Sequence, residues 1–290
     1  MPITDRKESA DVTPETRQKL KYRARQIRRG ILTSTYCARS GHPGGSLSSA
    51  DLLAYLYSGA LNVDPAHPED PDRDRFVLSK GHVTPAYYSA LAMAGFIPEE
   101  ELKTFRAVGS RLQGHPNMNL VPGVDMSTGS LGQGLSVAAG MALGAKRTGN
   151  SFAVYTLLGD GELAEGQIWE ALMFASHHHL DNLCVIVDVN GLQIDGKTED
   201  VLDTRPLDRK FEAFGDNVMT IDGHSFDEID DAIRFFKNNR TSGRPTAILM
   251  NTVKGKGVSF MENNSAWHGK APNQAQYEQG MRELKEDEAR

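Results

Sequence analysis

The fold is decided by residues 152–196, which read FAVYTLLGDGELAEGQIWEALMFASHHHLDNLCVIVDVNGLQIDG. Two apolar, β-prone segments, 152–158 and 183–189, each end at a polar turn that contains glycine, and apolar residues at helical spacing lie between them. This pattern predicts a strand, a crossover helix at 167–176 and a second, buried parallel strand. Because such crossovers are right-handed, the carboxyl ends of both strands reach one edge of the sheet, where open α/β sheets bind ligands.

The side chains at that edge favour a metal-bound diphosphate. Gly159 and Gly161 allow close approach of a ligand, and the helix that follows offers free N–H groups to an anion. Asp160 places a carboxylate in the same region, so an anionic ligand there requires a bridging cation. Asp160, the amide of Asn190 and a backbone carbonyl just after it form an all-oxygen set, which suits Mg²⁺, Ca²⁺ or Mn²⁺.

Two other interpretations of the same turn stay open at this point. Gly159, Gly161 and Ala164 also fit the dinucleotide fingerprint, in which Asp188 would bind a ribose, as in an NAD-dependent dehydrogenase. Asp160 would then face a pyrophosphate without a metal, which argues against that class. The turn could also be purely structural, with a capping aspartate.

Composition excludes several classes of protein. The chain has 290 residues, of which 39% are apolar and 24% charged, as in ordinary globular proteins with a full core. A net charge of -6 does not indicate a nucleic-acid partner, and no run of about 18 apolar residues indicates a membrane span. Residues 1–13 lack the apolar stretch of a signal peptide. We therefore expect a cytoplasmic protein.

The domain organisation is expected to be simple. We predict a loose N-terminus at 1–12, one domain at 13–273, and a charged, helical tail at 274–290 that packs on a partner or frays. Cys37 and Cys184 fit neither a disulfide framework nor a CxxC metal site, and we expect both to be packing residues.

The remaining pattern alternates between helices and strands. The predicted helices are 13–40, 49–56, one that begins at Pro85, 135–146 and 226–238, and the predicted strands outside the central unit are 76–79, 217–221 and 245–252. Segments 40–48 and 198–208 are expected to be irregular loops, and a glycine-rich loop at 127–134 precedes a helix. This order predicts an α/β fold with a doubly wound parallel sheet and helices on both faces.

Histidines recur in glycine-flanked loops. His42, His82 and His115 each lie beside a glycine, and Lys254 and His268 follow the last predicted strand. One such histidine would ordinarily be structural, but several that converge on one sheet edge would favour a function.

A run of three histidines, 177–179, lies at the end of the crossover helix. There histidines complement the helix dipole, and three consecutive positions do not share one helix face, so we do not expect a metal site there.

The chain resembles the N-terminal half of transketolase. The motifs SGHPGG, SKGH, GHP, TGSLGQG, GDGELAEG, DVNGLQIDG and KGKGV with AWHG occur in this order between about residues 17 and 273. The resemblance implies the thiamine-diphosphate-binding fold, with thiamine diphosphate and Mg²⁺ as cofactors. It further implies that Asp160, Asn190 and the carbonyl of Leu192 hold the metal.

The resemblance also assigns other residues to the site. Gly161 and Lys254 would approach the diphosphate, and the catalytic histidines would bind sugar hydroxyls and move protons. The residues implied to lie against the cofactor are His82, Gly129, Ser130, Leu131, Gly161, Asn190, Ile194, Lys254 and His268, and those implied to act on substrate are His42, His115 and His268, with His82 beside them. Glu165 matches a glutamate at the subunit interface of the family.

The resemblance implies a half-site. Transketolases are longer, and their second half carries the pyrimidine-binding domain with the glutamate that activates the aminopyrimidine. We therefore expect an N-terminal subunit that transfers a two-carbon ketol unit between sugar phosphates together with a C-terminal subunit, in a dimer of heterodimers. The alternatives are a related ketolase for a sulfonated or branched sugar, and a non-catalytic binding or regulatory protein on the same fold.

Overall fold

The computed structural model describes residues 12–286 of the chain. The strands in this part of the chain are β1 (Arg75–Leu78), β2 (Val154–Gly159), β3 (Leu183–Val189), β4 (Leu192–Gln193), β5 (Gly196–Lys197), β6 (Asn217–Asp222) and β7 (Thr246–Asn251). Five of them form one parallel sheet in the order β1-β2-β3-β7-β6, and β4 and β5 form a short antiparallel hairpin beyond β3. Both strands that end at the predicted ligand site, β2 and β3, are thus interior strands of the sheet.

The sheet is covered by helices on both sides. The α-helices are α1 (Pro14–Ala38), α2 (Pro43–Ser48), α3 (Ala50–Tyr55), α4 (Thr84–Ala94), α5 (Gln133–Thr148), α6 (Gly166–His177), α7 (Thr198–Val201), α8 (Leu207–Ala213), α9 (Phe226–Asn238) and α10 (Gln274–Glu286). A π-helical turn, Leu56–Ala60, follows α3. None of the helices in the described range is long and apolar enough to cross a membrane.

The alternation of side chains along β3 shows why the sheet needs two layers of helices. Cys184 and Ile186 belong to the apolar core shared with α1, α3, α4 and α9, whereas Val185 and Val187 belong to the core shared with α5, α6 and α8. All four side chains are fully buried. A strand that is apolar on both faces is stable only between two such layers. The predicted doubly wound α/β fold is confirmed.

The predicted strand-helix-strand unit is also confirmed. Helix α6 connects β2 to β3, and the two strands pair in parallel with Gly159 beside Asp188. Their carboxyl ends meet at one edge, where the N–H of Gly191 donates a hydrogen bond of 2.6 Å to Asp160 Oδ2. Residues about thirty positions apart are thereby brought together, as expected of a right-handed crossover.

The expectation of an irregular loop at 40–48 was wrong, because this segment contains α2. Proline at the first position of a helix lacks only an N–H that would have no partner there, so Pro43 begins the helix. The glycines allow close packing: a Cβ on Gly44 would lie 2.9 Å from the carbonyl oxygen of Trp267. His42 is the residue just before the helix.

The segment 198–208 is likewise not a simple loop. It contains α7 and the start of α8, whose first residue, Leu207, is buried against the core. Three of its acidic residues, Glu199, Asp200 and Asp208, lie in first helical turns, where they complement the helix dipole. The expectation for the cysteines was half right: Cys184 is buried in β3, but Cys37 is exposed on α1.

The described part of the charged tail forms the predicted helix, α10, which packs on its own chain. In α10, Tyr277 stacks on Tyr36 of α1 with ring centroids 4.3 Å apart, and Leu284 is buried. Residues 1–11 and 287–290 lie outside the described range, and so does the loose N-terminus that we predicted, apart from the buried Val12.

Candidate functional site

Asp160 lies at the end of β2 in a buried position. Its side-chain oxygens accept hydrogen bonds from the backbone N–H groups of Gly161 (2.8 Å) and Gly191 (2.6 Å). Burial, together with the nearby carboxylate of Asp188, raises the pKa of Asp160 to about 6. The position therefore disfavours a lone negative charge and would be stabilised by a cation.

The other two predicted metal ligands, Asn190 and Leu192, lie on either side of Gly191, whose N–H bonds to Asp160. The side-chain oxygen of Asn190 accepts a hydrogen bond from the N–H of Leu192 (3.1 Å), and the carbonyl of Leu192 accepts one from the ammonium of Lys254 (3.1 Å). A carboxylate, an amide and a carbonyl are thus gathered around Gly191. A positive group already bonds to this set, and three oxygen donors of these kinds fit Mg²⁺.

A cavity of about 510 Å³ opens beside this oxygen set, and its lining includes Asp160, Asn190, Leu192 and Thr252. Within residues 12–286, no group of three or more His, Cys, Asp and Glu side chains is arranged to hold a metal ion. The predicted metal site is of another kind, because a single carboxylate is combined with an amide and a carbonyl.

Asp188 is the centre of a buried polar network. It accepts hydrogen bonds from Lys80 (2.5 Å), Ser48 (2.7 Å), Asn190 (3.0 Å) and Thr252. Although burial alone would raise its pKa, the charge of Lys80 and these donors keep the pKa of Asp188 below its usual value. The enclosed side chain is not available to a ribose, so the dinucleotide interpretation was wrong.

Three of the predicted histidines form a compact group. The ring centroids of His42, His82 and His268 lie 5.0, 5.1 and 5.4 Å apart. Burial is the main cause that lowers the pKa of His42 to about 4 and of His268 to about 3, and it also lowers the pKa of His82. The three rings are therefore neutral near pH 7 and can both donate and accept hydrogen bonds.

His268 is linked to the oxygen set through Lys254. The Lys254 ammonium lies 3.1 Å from His268 Nδ1, and an ammonium can only donate. Nδ1 is therefore the acceptor, and the proton of the neutral ring is on Nε2. Burial lowers the pKa of Lys254 to about 8, so its side chain is still charged at neutral pH.

His115 lies at the rim of this group. It is exposed, and a Cβ on Gly129 would lie 3.0 Å from its ring. A Cβ on Gly81 would in turn lie 2.7 Å from the backbone nitrogen of Gly129, so the glycine-rich loop lies directly on the turn that carries His82. Close packing without side chains brings the loop motifs together.

Some of the predicted site residues are not buried with the oxygen set and the histidines. Ser130, Ile194 and Glu165 have exposed side chains, and Leu131 is partly exposed. Their roles toward cofactor or partner stay predictions.

Arg106 was missed by the sequence analysis. Its guanidinium donates a hydrogen bond of 2.7 Å to Ser40 Oγ, and its charge contributes, after burial, to the lowered pKa values of His42 and His115. The residue has a positive φ of 59°, which is uncommon outside glycine. Arg106 lies in a segment for which the sequence predicts no helix or strand, and an arginine there carries no local signal of such a role.

Glu162 was missed as well, although it lies within the central motif. It is buried, and it accepts hydrogen bonds from Ser79 Oγ (2.5 Å), Gly132 N (2.9 Å) and Gly159 N (3.1 Å). Burial raises its pKa, while these donors stabilise the charged form. Glu162 thereby ties together β2, the turn after β1 and the glycine-rich loop.

We expect Glu162→Gln to lower the free energy of unfolding by about 1–3 kcal/mol, because the new amide NH₂ would face a backbone N–H and leave a buried donor unsatisfied. Denaturant unfolding of the isolated chain measures this. The matched control is Glu170→Gln on the exposed side of α6, which should change stability by less than about 0.5 kcal/mol. Equal effects of the two substitutions would contradict the proposed structural role.

The known proteins to which this chain is similar belong to one family. The family described as "Transketolase, thiamine diphosphate binding domain" matches residues 21–287. The 6-deoxy-6-sulfo-D-fructose transketolase subunit SqwG of a Clostridium species is 45% identical over 270 residues, which cover 93% of this chain and 98% of that protein. One of the apulose-4-phosphate transketolase subunits, from Actinobacillus succinogenes, is 42% identical, with 92% of this chain and 96% of that protein covered.

Single-chain transketolases match over part of their length. Human transketolase is 41% identical over 274 residues, which are 92% of this chain but 42% of the human protein. The solved transketolase of Campylobacter jejuni superimposes with a TM-score of 0.86 at 33% identity, over 94% of this chain and 43% of that one.

Proposed function

Because the chain belongs to the transketolase family, in its thiamine-diphosphate-binding part, we propose that it is the N-terminal subunit of a split transketolase. It transfers a two-carbon ketol unit from a ketose phosphate to an aldose phosphate together with a separate C-terminal subunit. One observation carries this proposal: the chain covers 98% of a relative named as a transketolase subunit but 42% of human transketolase. The second half of the enzyme is then supplied by another chain.

The proposed cofactor site uses the oxygen set and its neighbours. Asp160, Asn190 and the carbonyl of Leu192 would hold Mg²⁺, and the N–H of Gly161 and the ammonium of Lys254 would bind the diphosphate. Thiamine diphosphate supplies the nucleophilic carbon and the electron sink for cleavage of a carbon–carbon bond. The buried carboxylate and the ammonium that already bonds to Leu192 support this assignment.

The histidines would bind the sugar substrate through hydrogen bonds and transfer protons to and from it. Since Nδ1 of His268 accepts from Lys254, its Nε2–H is the donor available to a sugar hydroxyl or carbonyl oxygen. Neutral His42 and His82 lie beside it, and a neutral imidazole can accept a proton from a hydroxyl and return it. His115, at the rim, would bind more distant hydroxyls.

Several features of the assembly are also proposals. We place the functional unit at residues 13–273, in the cytoplasm. The arrangement is a dimer of heterodimers, in which the exposed Glu165 lies at the interface between subunits.

The nature of the sugar has a second candidate. The relatives include proteins named for a sulfonated ketose and for apulose 4-phosphate, which supports a ketolase for a sulfonated or branched sugar as the alternative. Assays with a panel of plain, branched and sulfonated ketoses would separate the two. A non-catalytic binding protein is disfavoured, because the oxygen set and the three neutral histidines are both present.

We expect gentle affinity purification of the chain from its native cells to recover a second chain of similar length in equal amount. Mass spectrometry would identify it, and its sequence should contain the pyrimidine-binding pattern with the missing glutamate. A chain that came alone yet catalysed ketol transfer with thiamine diphosphate and Mg²⁺ would overturn the half-site proposal. A chain that came alone and inactive would favour the binding protein.

A further inference from the structure

We infer that His224, which lies outside the predicted site, is a positioning residue that fixes the segment carrying Lys254. The residue lies between β6 and α9 and contacts two elements at once: a buried ion pair on one side and the backbone of Val253 on the other. The inference rests on the proposed role of Lys254 toward the cofactor diphosphate, and substitutions of both residues test the two separately.

The ion pair is formed by Arg28 of α1 and Asp51 of α3. The guanidinium contacts both carboxylate oxygens, at 3.1 and 2.5 Å, and the side chains are 9% and 8% exposed. A bidentate pair of this kind satisfies the charge of both partners by itself. A third member is therefore not needed to neutralise the buried carboxylate.

His224 nevertheless bonds to this pair, and the geometry fixes which ring nitrogen carries the proton. The N–H of Val253 donates to Nε2 at 2.9 Å, so Nε2 must be the acceptor. Nδ1 then carries the proton and donates it to Asp51 Oδ2 at 2.7 Å. Asp51 thus selects the tautomer that can receive the Val253 N–H, as carboxylates do for histidines that bind metals.

The hydrogen bond from the Val253 N–H affects the position of the next residue, Lys254. Lys254 is buried, and its ammonium must reach both Leu192 O and His268 Nδ1, each at 3.1 Å. The chain around it is anchored before and after, by Thr252 N to Val189 O (3.1 Å) and by Gly255 N to Gly44 O (2.9 Å). The bond from Val253 holds the residue immediately before Lys254, and therefore sets the direction in which the lysine leaves the backbone.

Three substitutions distinguish this role from a merely structural one. The side-chain amide of glutamine reaches the position of Nε2 and can accept from Val253, whereas the shorter asparagine reaches the position of Nδ1 and can only satisfy Asp51. Alanine removes both bonds. His224→Gln should therefore retain the hydrogen bond from the Val253 N–H, which His224→Asn and His224→Ala lose.

The experiment uses the full chain with the subunit that co-purifies with it. Thiamine diphosphate is titrated at fixed Mg²⁺, and its apparent KM and the kcat at saturation are measured for each variant, with Lys254→Ala as the reference. We expect the KM for the cofactor to rise about 3- to 10-fold for the Asn and Ala variants, because the hydrogen bond from the Val253 N–H is lost. For Gln, which keeps that bond, the KM should rise by less than about 2-fold. The kcat at saturating cofactor should change little in all three.

Each contrary result has one meaning. If Asn keeps the native KM and Gln loses it, or if all three lose it equally, the Val253 bond is not what matters and the inference fails. If all three match the native protein while Lys254→Ala binds cofactor weakly, the inference fails and the proposed cofactor role stands. If Lys254→Ala itself binds normally, the proposed role of Lys254 fails, and the inference with it.

Discussion

Replacing Asp160 by alanine should weaken Mg²⁺-dependent binding of thiamine diphosphate to the assembled complex by more than about 100-fold. Loss of a residue that only supports a metal ligand costs about 10- to 100-fold, and loss of a direct ligand should cost more. Asp160 is also the one charged member of the proposed set, since the amide of Asn190 and the carbonyl of Leu192 are neutral. Calorimetric titration of the cofactor with and without Mg²⁺ measures the effect.

Two further variants sharpen this test. Asp160→Asn keeps the size of the side chain and should show an intermediate loss, because an amide oxygen is a weaker ligand than a carboxylate. Asp200→Ala is the matched control, since it removes an exposed carboxylate from α7, and should bind as the native protein does. Undiminished binding by Asp160→Ala would rule out the metal assignment.

His268→Ala should lower kcat for ketol transfer about 100- to 1,000-fold, the range for loss of one hydrogen-bond donor to a substrate oxygen at which charge develops. Cofactor affinity should fall by less than about 10-fold, because the Lys254 ammonium loses one hydrogen-bond acceptor but keeps its bond to Leu192. Steady-state rates at saturating cofactor and a separate binding titration give the two values. Their ratio, rather than either value alone, defines the role.

The control for His268 is the exposed His67, whose ring bonds to Asp64 at the surface and whose replacement by alanine should leave both values unchanged. An equal loss of rate and cofactor affinity in His268→Ala would indicate that the residue merely supports the cofactor site. No loss of either would remove it from the proposed mechanism.

Local patterns were sufficient to predict the centre of the fold. The apolar segments before Gly159 and Asn190, and the helical spacing between them, are properties of short windows of sequence, and handedness then brings Asp160 and Asn190 to one edge. The prediction of a loop around Pro43 and Gly44 was wrong, because proline and glycine usually interrupt helices. Here Pro43 begins a helix, and Gly44 allows that helix to pack closely.

The supporting contacts were not predictable because their members are far apart in the chain. Lys80 and Asp188 are separated by 108 positions, and Asp51 and His224 by 173. Each member alone looks like an ordinary charged or polar residue, and only the folded sheet makes it a partner. A buried acidic residue in an apolar strand such as β3 was the one available signal, since Asp188 requires a cation nearby.

The network around Asp188 also sets the order in which the site can form during synthesis. Lys80, Asp188 and Thr252 leave the ribosome in that order, and at typical elongation rates roughly 10 to 30 s separate the first from the last. Until β7 emerges, the nascent chain holds an incomplete set of donors around this carboxylate. The carboxylate therefore acquires its full set of donors only after the last strand of the sheet has been made.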